Sequence, residues 1–265
     1  LYAGNEDTHI LIDAGISCKR ICEGLKTFEL EGKDIQGILI THEHTDHISG
    51  LGVLARKFHI PIYGTDKTLR QISEMGNLGK IDRELFQPVE AGREFAVGSL
   101  SVESFSISHD AVDPVSYMVR DGGQKLGMVT DLGYYDEAIV ERLRDSNLLY
   151  VEANHDIHML QAGPYPYYLK KRIVSRSGHL CNTDAADFLA THYHSGLEYV
   201  FLCHLSRENN TPELAYKTIE ERLSQSHIQV GRDVQLVPLR RNTASEVYVF
   251  PVEKPVSSPE QMRLF

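Results

Sequence analysis

The stretch Gly37–Gly50 constrains the fold most strongly, because a short apolar run in it stops at three histidines and one aspartate. The run Ile38–Ile40 is short and rich in β-branched residues, which is typical of a buried strand. The apolar residues in positions 48–58 recur at helical spacing. The polar cluster between these segments is therefore predicted to lie where a strand passes into a helix.

The spacing inside this cluster predicts two metal sites. Side chains alternate along an extended chain, so His42 and His44 can point in the same direction. Asp46 and His47 fall where the chain turns, and they can face elsewhere. Imidazole and carboxylate ligands suit zinc, manganese or iron, and the absence of sulfur argues against a closed structural zinc site. A solvated histidine-rich loop is the alternative, but it would need neither the carboxylate nor the adjoining strand.

Other polar residues repeat this placement at the ends of strand-like runs. Six of them follow an apolar run directly or after one residue: Asp13, His42, His109, Asp131, Glu152 and His204. Strand ends are where α/β folds build their sites. We therefore expect these side chains to gather along strand ends of one or two sheets.

The candidate ligands divide into two sets that share one carboxylate. The sets are His42, His44 and His109 for one ion, Asp46, His47 and His204 for the other, and Asp131 as a bridge between them. Two cations lower the pKa of a water held between them, which we expect to be the nucleophile. Asp13 is expected to accept an imidazole N–H and to fix that ring's tautomer. The predicted cofactors are two divalent ions per chain, zinc or manganese, with iron as a further option.

Composition predicts one α/β domain without a membrane span. The 265 residues, 42% of them hydrophobic, can form one large core over residues 1–250, and the proline-rich segment 251–265 is expected to be a flexible tail. No window approaches the roughly 18 consecutive apolar residues of a membrane-spanning helix. The four cysteines form no CxxC pair, which fits reduced thiols in a cytoplasm. Because the chain opens at Leu1 without a methionine, its lack of a secretory leader carries little weight.

The charge of the chain limits how it can bind nucleic acid. A formal net charge of −10 argues against broad, sequence-blind adhesion to phosphate backbones. A local phosphate site stays open, since two divalent ions would add about four positive charges at one point.

The ligand pattern resembles the metallo-β-lactamase superfamily. Its motif here is His42-x-His44-x-Asp46-His47, preceded by Asp13 and followed by His109, Asp131 and His204. The resemblance covers the chain up to the tail. It implies an αββα four-layer sandwich, in which two facing mixed β-sheets carry helices on the outside and metals at one edge.

Five further segments resemble the bacterial YycJ/WalJ family more narrowly: Leu11–Ser17, Val53–Lys57, Glu152–Asp156, Ser177–Leu180 and His204–Asn210. Members of that family are described as cytoplasmic 5′-to-3′ DNA exonucleases associated with mismatch repair. Two departures are the absence of the family's Ser/Gly-rich first strand and Cys181 in place of serine. Neither departure affects a proposed ligand.

Glu152 and His179 favour a phosphodiester substrate. In the nuclease branch typified by ribonuclease Z, a carboxylate in a Glu-Ala motif pairs with a later histidine that contacts the scissile phosphate and helps to protonate the leaving oxygen. His179 resembles that histidine, and Gly178 before it would let backbone approach closely. With Asp46, this pair makes up the candidate catalytic residues. A surface histidine after a loop glycine is the alternative for His179.

Substrate binding is predicted for Lys170, Lys171 and Arg172, which follow three tyrosines in the stretch Tyr165–Arg172. The rings could stack on bases while the cations bind phosphates. A helix with a solvated basic face and tyrosines packed inward explains the same residues equally well. The pair Asn209 and Asn210 could donate to phosphate oxygens or cap the helix that begins near Pro212.

The sequence therefore predicts a dinuclear metal phosphodiesterase that acts as an exonuclease on DNA ends. No stretch between Asp131 and His204 is long enough for the inserted domain of the ribonuclease J branch, and no glycine-rich arm like that of ribonuclease Z is visible. Two alternatives remain. One is a hydrolase of a small phosphodiester, thioester or lactone, and the other is a non-enzymatic regulatory or scaffold protein of the same fold. The oligomeric state and the choice between DNA and RNA are left open.

Overall fold

Two β-sheets form the centre of the protein. The computed structural model describes residues 1–240, 244–246 and 248–250. Within these residues the first sheet has, in spatial order, the strands β1 (Tyr2–Gly4), β2 (His9–Ile12), β3 (Gly37–Leu39), β4 (Ile62–Thr65) and β5 (Phe86–Val89). The second sheet has β6 (Glu94–Val97), β7 (Leu100–Ser106), β8 (Val115–Asp121), β9 (Gln124–Val129), β10 (Leu148–Glu152), β11 (Tyr199–Cys203) and β12 (Gln235–Pro238), again in spatial order.

Both sheets are mixed. In the first sheet β1 pairs with β2 in antiparallel fashion and the remaining pairs are parallel. In the second sheet the strands from β6 to β9 pair in antiparallel fashion, whereas β9 to β12 are parallel. A turn at Gly122 and Gly123 joins β8 to β9.

Helices connect the strands and lie outside the sheets. The described residues form α1 (Cys18–Leu25), α2 (Thr45–Ile48), α3 (Leu51–Phe58), α4 (Asp66–Glu74), α5 (Glu137–Leu143), α6 (Ile157–Ala162), α7 (Tyr167–Ile173), α8 (Asn182–His192) and α9 (Pro212–Gln225). Short 3₁₀ turns occur at Lys26–Phe28, Gly32–Asp34, Gly76–Leu78 and Arg83–Leu85. Across the described part of the chain, no helix combines the length and the apolar character needed to cross a membrane.

Side-chain alternation in the strands separates the layers. In β2, Ile10 and Ile12 pack between the two sheets, whereas Leu11 packs against the helices on the other side. β3 behaves in the same way, because Leu39 faces the second sheet and Ile38 faces the helices. A third apolar cluster lies between the second sheet and α5, α8 and α9. The four-layer αββα sandwich expected from the resemblance is confirmed.

Some local expectations need correction. The helix expected over positions 48–58 is divided into α2 and α3, and the amide of Gly50 between them donates to the Ala14 carbonyl at 2.8 Å. α9 is capped by Thr211, whose hydroxyl accepts from the amide of Leu214, and not by Asn209 or Asn210. The expected tail over positions 251–265 lies outside the described residues.

A buried tyrosine ties the second sheet to the strand that leads into the histidine cluster. Tyr117 in β8 is fully buried, and its hydroxyl donates to the carbonyl of Ile40 at 2.8 Å. The carbonyl of Thr41, which follows Ile40 in the chain, accepts from the amide of Val115 at 3.0 Å. These two hydrogen bonds hold Ile40 and Thr41, which follow β3 of the first sheet, against β8 of the second sheet.

Replacing Tyr117 by phenylalanine should therefore lower the free energy of unfolding. The Tyr117→Phe variant leaves the buried Ile40 carbonyl without its donor, which costs about 1–3 kcal/mol. Urea denaturation followed by circular dichroism measures the change. Tyr167→Phe is the matched control, since that side chain is 72% exposed; equal stability of the two variants would contradict the proposed role of the hydroxyl.

Candidate metal centre

The candidate site lies at one edge of the sandwich, in the loops that follow the ends of the strands. β9, β10 and β11 are parallel and in register, so Asp131, Glu152 and His204 emerge side by side. Asp13, Asp131 and His204 have φ angles of 61°, 56° and 53° just after their strands. This left-handed conformation is uncommon for residues other than glycine and is often found at functional sites. It turns the chain sharply where the sheets end.

The structure brings together His42, His44 and His109, the first predicted ligand set. One nitrogen from each ring lies within 4.8 Å of the others. The Nε2 atom of His109 lies 3.3 Å from Nδ1 of His44. His42 and His109 are buried and His44 is half-buried.

The second predicted set also converges. Ligand atoms of Asp46, His47 and His204 lie within 4.8 Å of one another. The Oδ2 atom of Asp46 lies 3.9 Å from Nε2 of His47 and 3.7 Å from Nε2 of His204. Asp46 has a 68% exposed side chain, so it stands on the solvent side of this set.

Asp131 lies between the two sets. Its Oδ2 atom is 3.4 Å from Nε2 of His47, and its Oδ1 atom is 3.3 Å from Nε2 of His204. The same Oδ1 atom is 4.0 Å from Nε2 of His109 in the first set. This fully buried carboxylate therefore faces ligand atoms of both sets, as a bridging ligand must.

The chemistry of the donor atoms fits cations. Within the described residues, Nε2 of His42 is buried and has no hydrogen-bond partner. An unpaired polar atom in a dry site costs about 1–3 kcal/mol, and a metal ion would supply the missing partner. Imidazole nitrogens and carboxylate oxygens without sulfur are a suitable set for zinc or manganese. The site is therefore suited to divalent metal ions.

Hydrogen bonds on the far side of most of the rings explain how their inward nitrogens are fixed. Nδ1 of His47 donates to Oδ2 of Asp13 at 2.7 Å, as expected for that carboxylate. Nδ1 of His109 lies 3.3 Å from the carbonyl of Gly178. A ring that donates outward from one nitrogen leaves the other nitrogen directed at the metal.

Thr41 contacts the cluster and was not singled out from the sequence. Its hydroxyl donates to Oδ2 of Asp13 at 2.8 Å and lies 3.0 Å from Nδ1 of His42. Because the hydroxyl hydrogen is used on Asp13, the oxygen accepts from His42, and Nε2 of His42 is left as a free lone pair. The signal in the sequence was a hydroxyl residue between the apolar run of β3 and the first histidine.

The carboxylates set the charge of the imidazoles when no metal is bound. Burial lowers the pKa of His42 to about 2. Burial also opposes the charged form of His47, but Asp13 and Asp131 outweigh it and raise the pKa of His47 to about 9. The cluster thus holds a proton in a place where a cation would bind, so metal binding would displace that proton.

Glu152 and His179 form the predicted pair, and Glu152 does more than expected. Its Oε1 atom accepts from Nδ1 of His179 and from Nδ1 of His204, both at 2.8 Å. Its Oε2 atom accepts from the amides of Leu132 and Leu180, both at 3.3 Å. Both oxygens of this fully buried carboxylate therefore accept hydrogen bonds, and through Oε1 Glu152 orients the rings of His179 and His204.

Gly178 has the close backbone contact predicted for it. A Cβ atom at this position would lie 2.1 Å from the carbonyl oxygen of Ile173. The amide of His179 donates to that same carbonyl at 2.9 Å. This contact holds His179 at the rim of the cluster, with a side chain that is 20% exposed.

The three predicted cations of α7 have different surroundings. Lys170 donates to the carbonyls of Gln161 and Gly163, both at 2.7 Å, so it is engaged in holding the end of α6. Arg172 pairs with Asp110, the neighbour of His109. Lys171 is exposed and lies over the ring of Tyr167, with Nζ 4.9 Å from the ring centroid.

The other substrate-binding prediction, for Asn209 and Asn210, needs correction. Both residues are buried, with 0% and 4% exposure. Asn210 donates to the Ala153 carbonyl and to Asn182, and its Oδ1 accepts from Asn182 and from the amide of Thr211. Asn210 therefore joins loops, whereas the side chain of Asn209 donates to the nearby hydroxyl of Ser206, and neither amide reaches the surface.

The fold and the site together define the class. A four-layer sandwich of two mixed sheets, with converging histidines and carboxylates at one edge, is the arrangement of a metallo-β-lactamase-type hydrolase. A family model described as the beta-lactamase superfamily domain matches residues 8–204.

Two relatives show which family within this superfamily the chain belongs to. Exodeoxyribonuclease YycJ of Bacillus anthracis is 38% identical over 237 residues, which cover 89% of each chain. Exodeoxyribonuclease WalJ of Streptococcus pneumoniae is 36% identical over 244 residues, which cover 92% of this chain and 91% of the relative. The chain therefore belongs to the beta-lactamase superfamily and, within it, to the YycJ/WalJ family.

A solved structure supports the fold. The crystal structure of Zn²⁺-bound PqqB from Methylobacterium extorquens matches with a TM-score of 0.68 over 90% of this chain and 85% of that chain. The two sequences are only 17% identical, so the match bears on the fold alone.

Removing the hydroxyl of Thr41 should weaken metal binding. Thr41→Val keeps the shape of the side chain but leaves His42 without an outward acceptor, and losing such a contact typically lowers metal affinity about 10- to 100-fold. Competition with a chromophoric chelator measures the affinity. Thr41→Ser keeps the hydroxyl and should bind metal like the wild type; equal affinity in Thr41→Val would refute the role.

Proposed function

We propose that this protein is a dinuclear metal-dependent phosphodiesterase that degrades DNA from its ends in the 5′-to-3′ direction. The observation that carries the proposal is the Glu152–His179 pair beside a convergent set of metal-binding donors. The exodeoxyribonuclease names of the two relatives, which match along most of the chain, support DNA as the substrate.

Two divalent ions, zinc or manganese, would be held at the cluster. The proposed ligands are His42, His44 and His109 for one ion, Asp46, His47 and His204 for the other, and Asp131 for both. When bound, paired divalent ions lower the pKa of water and stabilise the attacking and leaving oxygens of a phosphoryl transfer.

His179 is proposed to protonate the leaving oxygen. Its Nδ1 atom is bound to Glu152, so Nε2 is the nitrogen available to a substrate. Burial opposes protonation, but the Glu152 carboxylate more than compensates and raises the pKa of His179 above its usual value. Because Glu152 also orients His204, the proposed acid is fixed relative to the second ligand set.

A cytoplasmic role in DNA repair completes the proposal. All four cysteines lie within the described residues and are free, which fits a reducing compartment. Deletion of the gene should raise the spontaneous mutation rate in a fluctuation assay, and an unchanged rate would argue against the repair role.

The substrate is tested with a panel of end-labelled DNA, labelled RNA and bis-p-nitrophenyl phosphate. We expect DNA to be shortened from its 5′ end. Cleavage of DNA at limiting substrate should fall steeply as salt rises, because binding through several phosphates releases counterions, whereas hydrolysis of the small ester should change little. Hydrolysis of the small ester without any cleavage of DNA would favour a small-molecule hydrolase.

Asp131→Asn should lose both metal ions together. The variant removes the charge and one oxygen ligand from the position that faces both sets, so neither ion keeps its full set of ligands. Metal content is measured by inductively coupled plasma mass spectrometry on purified protein. Asp82→Asn, an exposed carboxylate outside the cluster, is the control and should keep the wild-type content. Loss of one ion only would refute the bridge.

His179→Ala should keep its metal and lose most of its turnover. A general acid typically contributes about 10²- to 10⁴-fold to rate, so we expect kcat on DNA to fall by that amount. The exposed His227→Ala is the matched control. If His179→Ala instead loses metal, His179 is a ligand and the acid role is wrong.

A further inference from the structure

α7 displays two neighbouring tyrosine rings to solvent. Tyr167 and Tyr168 are 72% and 74% exposed. Among the described residues no other tyrosine or phenylalanine side chain is exposed. Exposed rings of this size are unusual in adjacent positions, because aromatic side chains gain most from burial. The inward-packed tyrosine stripe that the sequence allowed is therefore not what these two residues form.

The segment that carries these rings has a charge opposite to that of the whole chain. Residues 157–183 contain four cationic side chains and no aspartate or glutamate, although the whole chain has 37 acidic and 27 basic residues. Lys171, one turn along the helix from Tyr167, places its ammonium group 4.9 Å from the centre of that ring. The exposed rings thus lie on a basic segment of the chain, which is complementary to a polyanion.

α7 is also fastened to the candidate metal centre. Arg172 pairs with Asp110, whose Oδ1 atom lies 3.5 Å from Nε2 of His109. Tyr168 lies four residues before Arg172, which corresponds to about 6 Å of helix rise and places the two on the same side of the helix. The carbonyl of Ile173 at the end of α7 accepts from the amide of His179. The end of α7 is therefore joined to the segment that carries the proposed acid.

We propose that Tyr167, Tyr168 and Lys171 form a stacking platform for the unpaired bases of a single DNA strand entering the site. This inference rests on the proposed nuclease function and specifies which form of DNA the site holds. Tyrosine rings stack on the face of any base, so a platform of this kind does not select sequence. In a duplex those faces are already covered by neighbouring bases, which makes a single strand or a frayed end the preferred occupant. Lys171 neutralises one phosphate beside the stacked bases.

Binding is measured in EDTA, where no cleavage occurs, by fluorescence anisotropy of labelled dT₂₀. The variant Tyr167→Ala/Tyr168→Ala should weaken Kd by about 30-fold or more, since each stacked base contributes about fivefold or more. Tyr167→Phe/Tyr168→Phe keeps both rings and should bind within about twofold of the wild type. Circular dichroism establishes that each variant is folded. Three results would overturn the platform. These are a wild type that does not bind dT₂₀, an alanine pair with the same Kd as the wild type, and a phenylalanine pair that loses as much affinity as the alanine pair.

The role of Lys171 is tested by the salt dependence of the same binding. Lys171→Ala should reduce the slope of log Kd against log salt by about 0.7, the value for one phosphate contact on a single strand. Lys217→Ala removes an exposed charge on α9, 71% exposed, and should leave the slope unchanged. An unchanged slope in Lys171→Ala would remove that residue from the platform.

Two further measurements distinguish other occupants. A blunt duplex should lose much less affinity than dT₂₀ in the alanine pair; an equal loss would overturn the preference for unpaired bases. Binding to phosphatidylglycerol vesicles that depends on both tyrosines, without any effect on dT₂₀, would assign the surface to a membrane.

The stacking platform and the nuclease function can be refuted independently of each other. Loss of dT₂₀ binding in the alanine pair without DNA cleavage by the metal-loaded wild type would refute only the function, whereas cleavage with unchanged binding would refute only the platform.

Discussion

The candidate site depends on hydrogen bonds that hold most of its imidazoles on their outer side and leave the other nitrogen directed inward. Two carboxylates carry most of this arrangement, since Asp13 orients two rings, one of them through Thr41, and Glu152 orients two more. Lone pairs that converge without a proton or a cation repel one another, so the arrangement requires positive charge. Protons supply that charge in the metal-free protein, and divalent ions would supply it in the proposed enzyme.

The architecture brings the ligands together by placing them on segments that follow strands ending at one edge of the sandwich. Parallel strands in register end at the same level, and the left-handed residues that follow them turn the chain immediately. The two sheets contribute from opposite sides, and Tyr117 fixes the strand that carries the histidine cluster against the second sheet. Rigid strands on both sides keep the inward nitrogens in place, which a site built on loops alone would achieve less well.

The proposed chemistry and the proposed choice of substrate depend on different parts of the molecule, the metal-binding cluster and the surface beside it. Metal-binding donors explain how water is activated, but they are shared by hydrolases with different substrates. The exposed rings and basic charge of α7, joined to the cluster through Arg172 and Asp110, provide the features that a nucleic acid would recognise. Lys170 shows why a basic run must be seen in three dimensions, because its ammonium group is bound to carbonyls of the neighbouring helix.

The sequence by itself determined an α/β domain, the ends of several strands and the residues that converge at the cluster, because local periodicity and residue type report directly on strands and metal affinity. The four-layer sandwich and the pairing of Glu152 with His179 followed from the resemblance to a known family. It did not find the hydroxyl of Thr41, the second ring held by Glu152, or the burial of Asn209 and Asn210. Those features depend on which segments meet in space and on which side of each ring finds an acceptor. Only the tertiary structure decides such contacts, since they join residues that are far apart in the chain.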